Sequence, residues 1–156
     1  MKAGVRLVQR ASSTRIFVKI APYVFPAVDR AVHRITRGRV LPSARLLPGT
    51  VLTSRGARTG RPRTVPLACL HRATGEWILV GSNFGRPGHP AWSANLLRHP
   101  EAEISWRGET IPVRARLLDG AERAEAWCAV LEFWPPYATY QSRVEREIRL
   151  FSLTRR

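Results

Sequence analysis

Hydrophobic and polar residues alternate along much of the chain after residue 49, a pattern typical of short strands with one buried face. The alternation is cleanest in 101–107 and 109–117, and the Arg107-Gly108 step between them predicts a tight hairpin. Shorter apolar runs separated by glycine-rich turns add further strands. The predicted strands are 50–54, 64–71, 77–82, 101–107, 109–117 and 147–153.

Helical spacing of apolar residues predicts four helices, at 28–35, 90–98, 121–133 and 137–146. In the third, we expect the buried face to be formed by Ala124, Trp127, Cys128 and Leu131. Hairpin-connected strands with few helices cannot form a doubly wound parallel sheet. We therefore expect a mainly antiparallel β-sheet curled into a barrel, with flanking α-helices packed outside.

The chain of 156 residues fits one compact core, and its net charge of +15 is the outlier in its composition. Of the 26 basic residues 24 are arginine, and the first 75 residues carry +14 of the charge. No carboxylate occurs between Asp29 and Glu76. Such a surface indicates an anionic partner, which is a nucleic acid, an acidic lipid, or a small molecule bearing phosphate or carboxylate groups.

We divide the chain into a basic N-terminal helical arm, 1–45, and a barrel domain, 46–156. The arm lacks both the long apolar run of a membrane-spanning helix and a convincing cleavage pattern. Its mixture of basic and apolar residues is compatible with peripheral contact with an anionic membrane; the alternative is an arm or helix packed on the domain. We expect a cytoplasmic protein, either free or at the inner face of the cell membrane.

Cysteine and histidine give no sign of a metal site. Cys69 and Cys128 are 59 positions apart in apolar surroundings, so we expect buried thiols in a reducing compartment. The four histidines have no ligand spacing, and we expect no metal.

The densest chemical signal is the link between the first two predicted strands, which reads Thr-Ser-Arg-Gly-Ala-Arg-Thr-Gly-Arg-Pro-Arg-Thr from residue 53 to 64. Glycines allow backbone N–H groups to converge on an anion, and guanidinium groups bind phosphate or carboxylate in a bidentate fork. The segment lacks the lysine of a phosphate-binding P-loop. It is a candidate anion clamp, and a solvated turn with scattered arginines is the alternative.

A second signal runs from Gly81 to Leu96, where a strand ends in a small-residue turn and a short helix presents Trp92 and Asn95 on one face. Such a turn suits a flat aromatic ligand, with Ser82 donating to a ring carbonyl and Trp92 forming a wall. Taken alone, Trp92 is as well explained as a core residue.

Together with the stretch Trp-Pro-Pro-Tyr-Ala-Thr-Tyr-Gln-Ser at 134–142, these two segments resemble the deazaflavin-dependent nitroreductase family. That resemblance covers about residues 30–153 and implies a split β-barrel that binds coenzyme F420. By it, the phosphate and the acidic polyglutamate tail are held by Arg58, Thr59 and Arg63. The deazaflavin ring and its sidearm are surrounded by Pro66, Ser82, Asn83, Trp92 and Asn95. The catalytic positions implied are Tyr137 and Tyr140, which line the acceptor side, and Ser82.

The resemblance further implies hydride transfer from the reduced deazaflavin to an electron-poor acceptor, which is a quinone, an activated alkene or a nitroaromatic compound. The chain departs from the family at Ala57, at Ala68 and in the Asn83-Phe84-Gly85 loop, where relatives often have Lys-Gly-Gly. The alternatives are an FMN- or haem-binding split barrel and a basic nucleic-acid-binding domain. Nucleic acid is not expected, because the basic half lacks a recognition-helix pattern and aromatic interleaving. The oligomeric state stays open.

Overall fold

The computed structural model describes residues 48–156, which form a six-stranded barrel. The predicted arm at 1–45 and the predicted helix at 28–35 lie outside the described residues. The strands are β1 (Gly49–Arg55), β2 (Pro62–His71), β3 (Trp77–Val80), β4 (Glu101–Trp106), β5 (Glu109–Leu117) and β6 (Leu150–Arg155).

Every strand pairs antiparallel with two neighbours, in the order β1-β2-β3-β6-β5-β4, and β1 closes the barrel against β4. The predicted fold class, an antiparallel barrel with flanking helices, is confirmed. The predicted hairpin at Arg107-Gly108 is also confirmed: both residues adopt a positive φ, 51° and 86°, and Trp106 pairs with Glu109. Two successive left-handed residues match the right-handed twist of the flanking strands.

The helices within residues 48–156 are α1 (Ala91–Arg98), α2 (Gly120–Phe133) and α3 (Pro136–Gln141), with a 3₁₀ turn at Asn83–Gly85. The predicted helix at 137–146 is too long, because the chain after α3 folds around Gln141. The side-chain amide of Gln141 donates to the carbonyls of Val144 and Arg146 and accepts from the backbone N–H of Ile148. The last strand consequently begins at Leu150 rather than at 147.

Two hydrophobic clusters lie on opposite faces of the sheet. One fills the barrel with residues from all six strands, including Leu52, Ile104 and Phe151, and Trp92 and Leu96 of α1 complete it. The other lies between the outer face of β3 and β6 and the helices α2 and α3. Loops carrying α1 and α3 are thereby fixed to a rigid scaffold. None of the helices in the described part of the chain is long and apolar enough to cross a membrane.

The buried face predicted for α2 is wrong. Ala126 and Val130 are fully buried, whereas Ala124 and Cys128 are exposed and Trp127 and Leu131 are partly buried. Apolar residues occur on several sides of this helix. Its orientation follows Ala126 and Val130, which form an i, i+4, i+8 stripe with the buried Trp134 that follows the helix. The expectation of two buried thiols therefore holds for Cys69 alone.

Candidate functional site

The β1–β2 turn is an exposed cluster of arginines without acidic partners. Arg55, Arg58, Arg61 and Arg63 all lie exposed within nine residues. The ion pairs found among residues 48–156 use other arginines, so no described carboxylate lies within 4.0 Å of these four guanidinium groups. Like charges held together repel each other, and an anion bound among them relieves that repulsion.

Backbone hydrogen bonds give the turn a defined shape. The N–H of Gly56 donates to the carbonyl of Arg61, and the N–H of Gly60 donates to the carbonyl of Gly56, each at 2.8 Å. A Cβ at position 56 would lie 2.9 Å from Oγ1 of Thr59 and 3.1 Å from the carbonyl oxygen of Arg61. A side chain at position 56 would therefore push Thr59 or the Arg61 carbonyl aside, and its absence lets the turn fold closely over Thr59.

Asn95 of α1 ties this turn to the barrel. Its Oδ1 accepts from the backbone N–H of Ala57 at 2.9 Å, and its Nδ2 donates to Oγ of Ser54 at 3.1 Å. Asn95 and Ser54 are both buried, so these hydrogen bonds satisfy polar groups that water does not reach. The family resemblance implies a position beside the ring for Asn95, which stays a prediction; the structure shows that its amide holds the arginine turn.

The loop after β3, residues 81–89, has an unusual backbone. Ser82 has a right-handed helical backbone conformation. Asn83, Phe84 and Gly85 follow it in the left-handed region, with φ of 49°, 56° and 73°. A Cβ at Gly85 would lie 3.1 Å from both Cα and the carbonyl oxygen of Tyr140, so this loop packs directly on α3. The Nδ2 of Asn83 donates to the carbonyl of Gly88 at 2.9 Å. A right-handed residue followed by a left-handed one directs successive N–H groups to one side, an arrangement that binds anions and carbonyl oxygens.

Arg146 is the residue of this region that sequence reasoning missed. Its guanidinium group makes five hydrogen bonds to the 81–89 loop. The acceptors are the carbonyl oxygens of Gly81 (3.3 Å), Ser82 (2.9 Å), Arg86 (3.0 Å) and Pro87 (2.9 Å) and Nδ1 of His89 (3.2 Å). Partial burial and the charge of Arg149 lower the pKa of Arg146, but a guanidinium stays charged in proteins. An isolated arginine in an irregular segment has no periodic signal that would identify it.

His89 completes this arrangement as a hydrogen-bond acceptor. Because Arg146 can only donate, Nδ1 of His89 accepts, and the imidazole is neutral with its proton on Nε2. Desolvation, followed by the charges of Arg149 and Arg146, lowers the pKa of His89 below its ordinary value of 6.5.

The two tyrosines implied at the acceptor side are both buried in α3. Their rings meet edge to face, with centroids 5.9 Å apart, and Phe84 of the 81–89 loop lies 6.2 Å from the ring of Tyr140. Burial, followed by the neighbouring Tyr140 and Cys69, raises the pKa of the Tyr137 phenol. The phenol is therefore protonated throughout the neutral range.

Two further predicted residues belong to the barrel. Pro66 is buried in β2 opposite Val51, and Trp92 packs against Phe151 in the barrel cluster, with ring centroids 5.6 Å apart. The structure thus brings the predicted residues together in two groups. Arg58, Thr59 and Arg63 lie in the arginine turn, which Asn95 binds through Ala57. Ser82 and Asn83 lie in the 81–89 loop, which packs on Tyr140, and Tyr137 contacts the ring of Tyr140. Across residues 48–156, no group of three His, Cys, Asp or Glu side chains is placed to hold a metal ion.

The sequence profile of the F420H(2)-dependent quinone reductase family matches residues 28–155. The chain belongs to this family. An F420H(2)-dependent quinone reductase of Mycobacterium tuberculosis strain H37Rv is 34% identical over 132 residues, covering 81% of this chain and 87% of that protein. A second, putative F420H(2)-dependent quinone reductase of the same strain is 28% identical over 107 residues, covering 69% of this chain and 89% of that protein.

Solved structures agree with membership of the quinone reductase family. An F420-H2 dependent reductase, FDR-A, has a TM-score of 0.63 at 34% identity and covers 69% of this chain and 94% of its own. A protein described as a domain-swapped dimer has a TM-score of 0.65 at 32% identity and covers 81% of this chain and 96% of its own. A heme binding protein of Mycobacterium smegmatis, with a TM-score of 0.52 at 19% identity, shares only the fold.

Membership of the quinone reductase family confirms the predicted enzyme class, an F420-dependent reductase, and its coenzyme. It favours F420 over the FMN, haem and nucleic-acid alternatives. The donor set fits this coenzyme, since an acidic tail and a phosphate bind exposed cations, and the arginine turn provides four that no described carboxylate pairs with.

Proposed function

We propose that this protein reduces a quinone by hydride transfer from F420H2, with the coenzyme held between the arginine turn and the 81–89 loop. The observation that carries this proposal is an exposed turn of four arginines without a described acidic partner, in a member of the F420H(2)-dependent quinone reductase family. When bound, reduced F420 supplies a hydride, and the protein supplies position and electrostatics.

Arg58 and Arg63 bind the phosphate and the glutamate tail, and Thr59 adds a hydroxyl donor. Both arginines are exposed and free of described acidic partners, so neither has to give up an ion pair to bind the coenzyme. Asn95 acts on this group through the backbone of Ala57, because it fixes the turn that carries the arginines.

Ser82, Asn83 and Pro66 contact the deazaflavin ring and its sidearm. The N–H groups of the Ser82–Asn83 corner are donors suited to ring carbonyl oxygens, given the right-handed and left-handed conformations of the two residues. Trp92 supports this region from the barrel core through its contact with Phe151.

Tyr137 and Tyr140 line the acceptor side. A quinone that accepts a hydride becomes a hydroquinone monoanion and needs one proton to form the neutral hydroquinone. Because its pKa is raised by burial, the phenol of Tyr137 is protonated and suited to donate a hydrogen bond to the developing oxyanion. Tyr140 positions that ring through their edge-to-face contact.

A binding titration tests the coenzyme site. We expect Arg58→Gln with Arg63→Gln to weaken F420 binding at least about tenfold, since each charge-assisted contact to phosphate or carboxylate is worth more than a neutral one. The matched control is Arg107→Gln with Arg155→Gln, which removes two exposed charges elsewhere on the barrel. Equal affinities in the two double variants would place the tail site elsewhere.

The arm at 1–45 supports a second, separate proposal, namely peripheral contact with the cytoplasmic face of an anionic membrane. It carries ten basic residues and a single acid, Asp29, and the arginines of the coenzyme turn lie outside it. We expect cosedimentation with vesicles that contain anionic phosphatidylglycerol and none with neutral phosphatidylcholine vesicles. Cosedimentation that survives removal of residues 1–45 would refute this assignment.

A further inference from the structure

Arg146 lies outside every segment that suggested a function, yet it makes more hydrogen bonds to the 81–89 loop than any other described side chain. Four of its five acceptors are backbone carbonyls on both arms of the loop, at residues 81–82 and 86–87. A single planar group with five donors in a fixed fork thus spans the loop at its base.

These contacts determine which way the loop presents its donors. The described peptide bonds are all trans, so a carbonyl and the N–H of the next residue point in opposite directions. Because the carbonyls of Gly81 and Ser82 point to Arg146, the N–H groups of Ser82 and Asn83 point away from it. Those two N–H groups belong to the corner where a right-handed residue precedes a left-handed one.

The loop needs such an anchor because its backbone is energetically unfavourable. Asn83 and Phe84 both have side chains and both adopt a positive φ, which L-residues rarely occupy without compensating contacts. On one side Gly85 packs against the backbone of Tyr140, and on the other side Arg146 binds the carbonyls. Without the guanidinium, these carbonyls would lose their charged partner.

We propose that Arg146 is a positioning residue for the reductase: by binding the carbonyls of the 81–89 loop, it directs the backbone donors of Ser82 and Asn83 toward the deazaflavin. This rests on the proposed function, in which that loop contacts the coenzyme. Arg146 itself does not contact the reacting atoms. Lysine cannot replace it, because three donors on one nitrogen cannot reach both arms of the loop.

The test is a titration with F420 of the full chain and of three variants, Arg146→Gln, Arg146→Lys and Arg155→Gln. We expect the dissociation constant to rise about tenfold or more in Arg146→Gln and less in Arg146→Lys, and to stay at the wild-type value in Arg155→Gln, which removes an equal charge from an exposed site. Millimolar guanidinium chloride should restore F420 affinity to Arg146→Gln and leave the wild type unchanged. A loss that was merely structural would not be rescued in this way.

Ser82→Pro, measured in the same titration, separates the two proposals, because proline suits the φ of −65° at position 82 and removes its N–H donor. If Ser82→Pro weakens F420 binding and Arg146→Gln does not, the positioning role is refuted and the coenzyme site stands. If neither variant changes the affinity, the backbone donors of the 81–89 loop do not contact the ring, and both proposals fail at this loop. If Arg146→Gln does not fold, the F420 affinity of Arg146→Lys tests the positioning role instead, because lysine keeps the charge. Wild-type affinity in Arg146→Lys would overturn the inference.

Discussion

At the scale of single residues, the site depends on buried groups whose protonation state is set by their surroundings. Tyr137 is the clearest case. Burial raises the pKa of its phenol above the ordinary value of 10.0, so the hydroxyl is a donor throughout the working range of pH. The same burial keeps Tyr137 from acting as a nucleophile or a base near neutral pH, so its proposed part in catalysis is to donate.

Replacing that donor tests the assignment. We expect Tyr137→Phe to lower kcat for a quinone acceptor by about tenfold to a hundredfold, because one donor to the developing oxyanion is lost while the ring and its packing stay. The F420 dissociation constant should be unchanged in a fluorescence titration. Stopped-flow oxidation of F420H2 by a soluble quinone measures the step. An unaltered kcat would show that the Tyr137 hydroxyl does not donate a hydrogen bond to the developing oxyanion.

His89 gives the site a pH dependence whose sign follows from its environment. Desolvation, followed by the charges of Arg149 and Arg146, lowers the pKa of His89 in the folded state below 6.5, so between the two pKa values the unfolded chain binds more protons than the folded one. The contribution of neutral His89 to stability is therefore complete above pH 6.5 and is lost as pH falls through the lowered pKa.

We expect the free energy of unfolding of the wild type to decrease from pH 7 to pH 5 by more than that of His89→Gln. The glutamine carbonyl can still accept from Arg146 but does not titrate. Urea denaturation at several pH values measures the difference. Parallel pH profiles of the two proteins would show that the His89–Arg146 hydrogen bond does not couple to protonation.

At the scale of elements, the 81–89 loop is fixed by close packing as well as by Arg146. Gly85 combines a φ of 73° with close packing, since a Cβ there would lie 3.1 Å from the backbone of Tyr140, whereas a Cβ at Gly88 would have nothing within 4 Å. We expect Gly85→Ala to lower the free energy of unfolding by about 1–3 kcal/mol through left-handed backbone strain and the clash with Tyr140, and to weaken F420 binding. Gly88→Ala, the matched control, should stay within about 0.5 kcal/mol of wild type.

Chemical denaturation of both glycine variants provides the comparison. If Gly85→Ala is as stable as Gly88→Ala and binds F420 equally well, the loop moves away from α3 without cost. The packing of the loop on Tyr140 would then have no part in forming the site.

The elements also show what the sequence could predict. Strands were predictable because period-two alternation in β4 and β5 reflects one buried face, and the hairpin at Arg107-Gly108 needs left-handed residues that glycine allows. The arginine turn was predictable from its composition. The buried face of α2 was not, since it depends on how Trp134 packs after the helix has ended.

The hydrogen bonds of Asn95 and Arg146 could likewise be identified only from the structure. Asn95 lies 38 residues from the turn that it holds, and Arg146 lies 57 to 65 residues from the loop atoms that it binds. Hydrogen bonds over such separations depend on how the barrel closes, so a local sequence pattern does not predict them. By contrast, the predicted roles of Ser82, Asn83 and Tyr137 stay predictions that the titrations above test.

At the scale of the whole molecule, closure of the barrel leaves each strand with two neighbours, so the sheet has no open edge. The packed interior side chains of the barrel hold the arginine turn and the 81–89 loop at its surface. The charge of the chain is distributed unevenly along the sequence. Residues 1–75 carry +14 of the net charge of +15, and the remaining residues are close to neutral. The arginine turn is therefore the strongest cationic feature within the described part of this basic half.

This asymmetry predicts how salt affects each ligand. Binding of F420 should weaken about tenfold as salt rises from about 50 to about 500 mM, because screening acts on the exposed arginines and the acidic tail, whereas KM for an uncharged quinone should change little. Coenzyme with more glutamates should bind more tightly at low salt, and Arg58→Gln with Arg63→Gln should abolish that preference. Fluorescence titrations with F420 of defined tail length measure both effects. A preference for long tails that persists unchanged in the double variant would assign the tail to another basic surface, for which the arm at 1–45 is the next candidate.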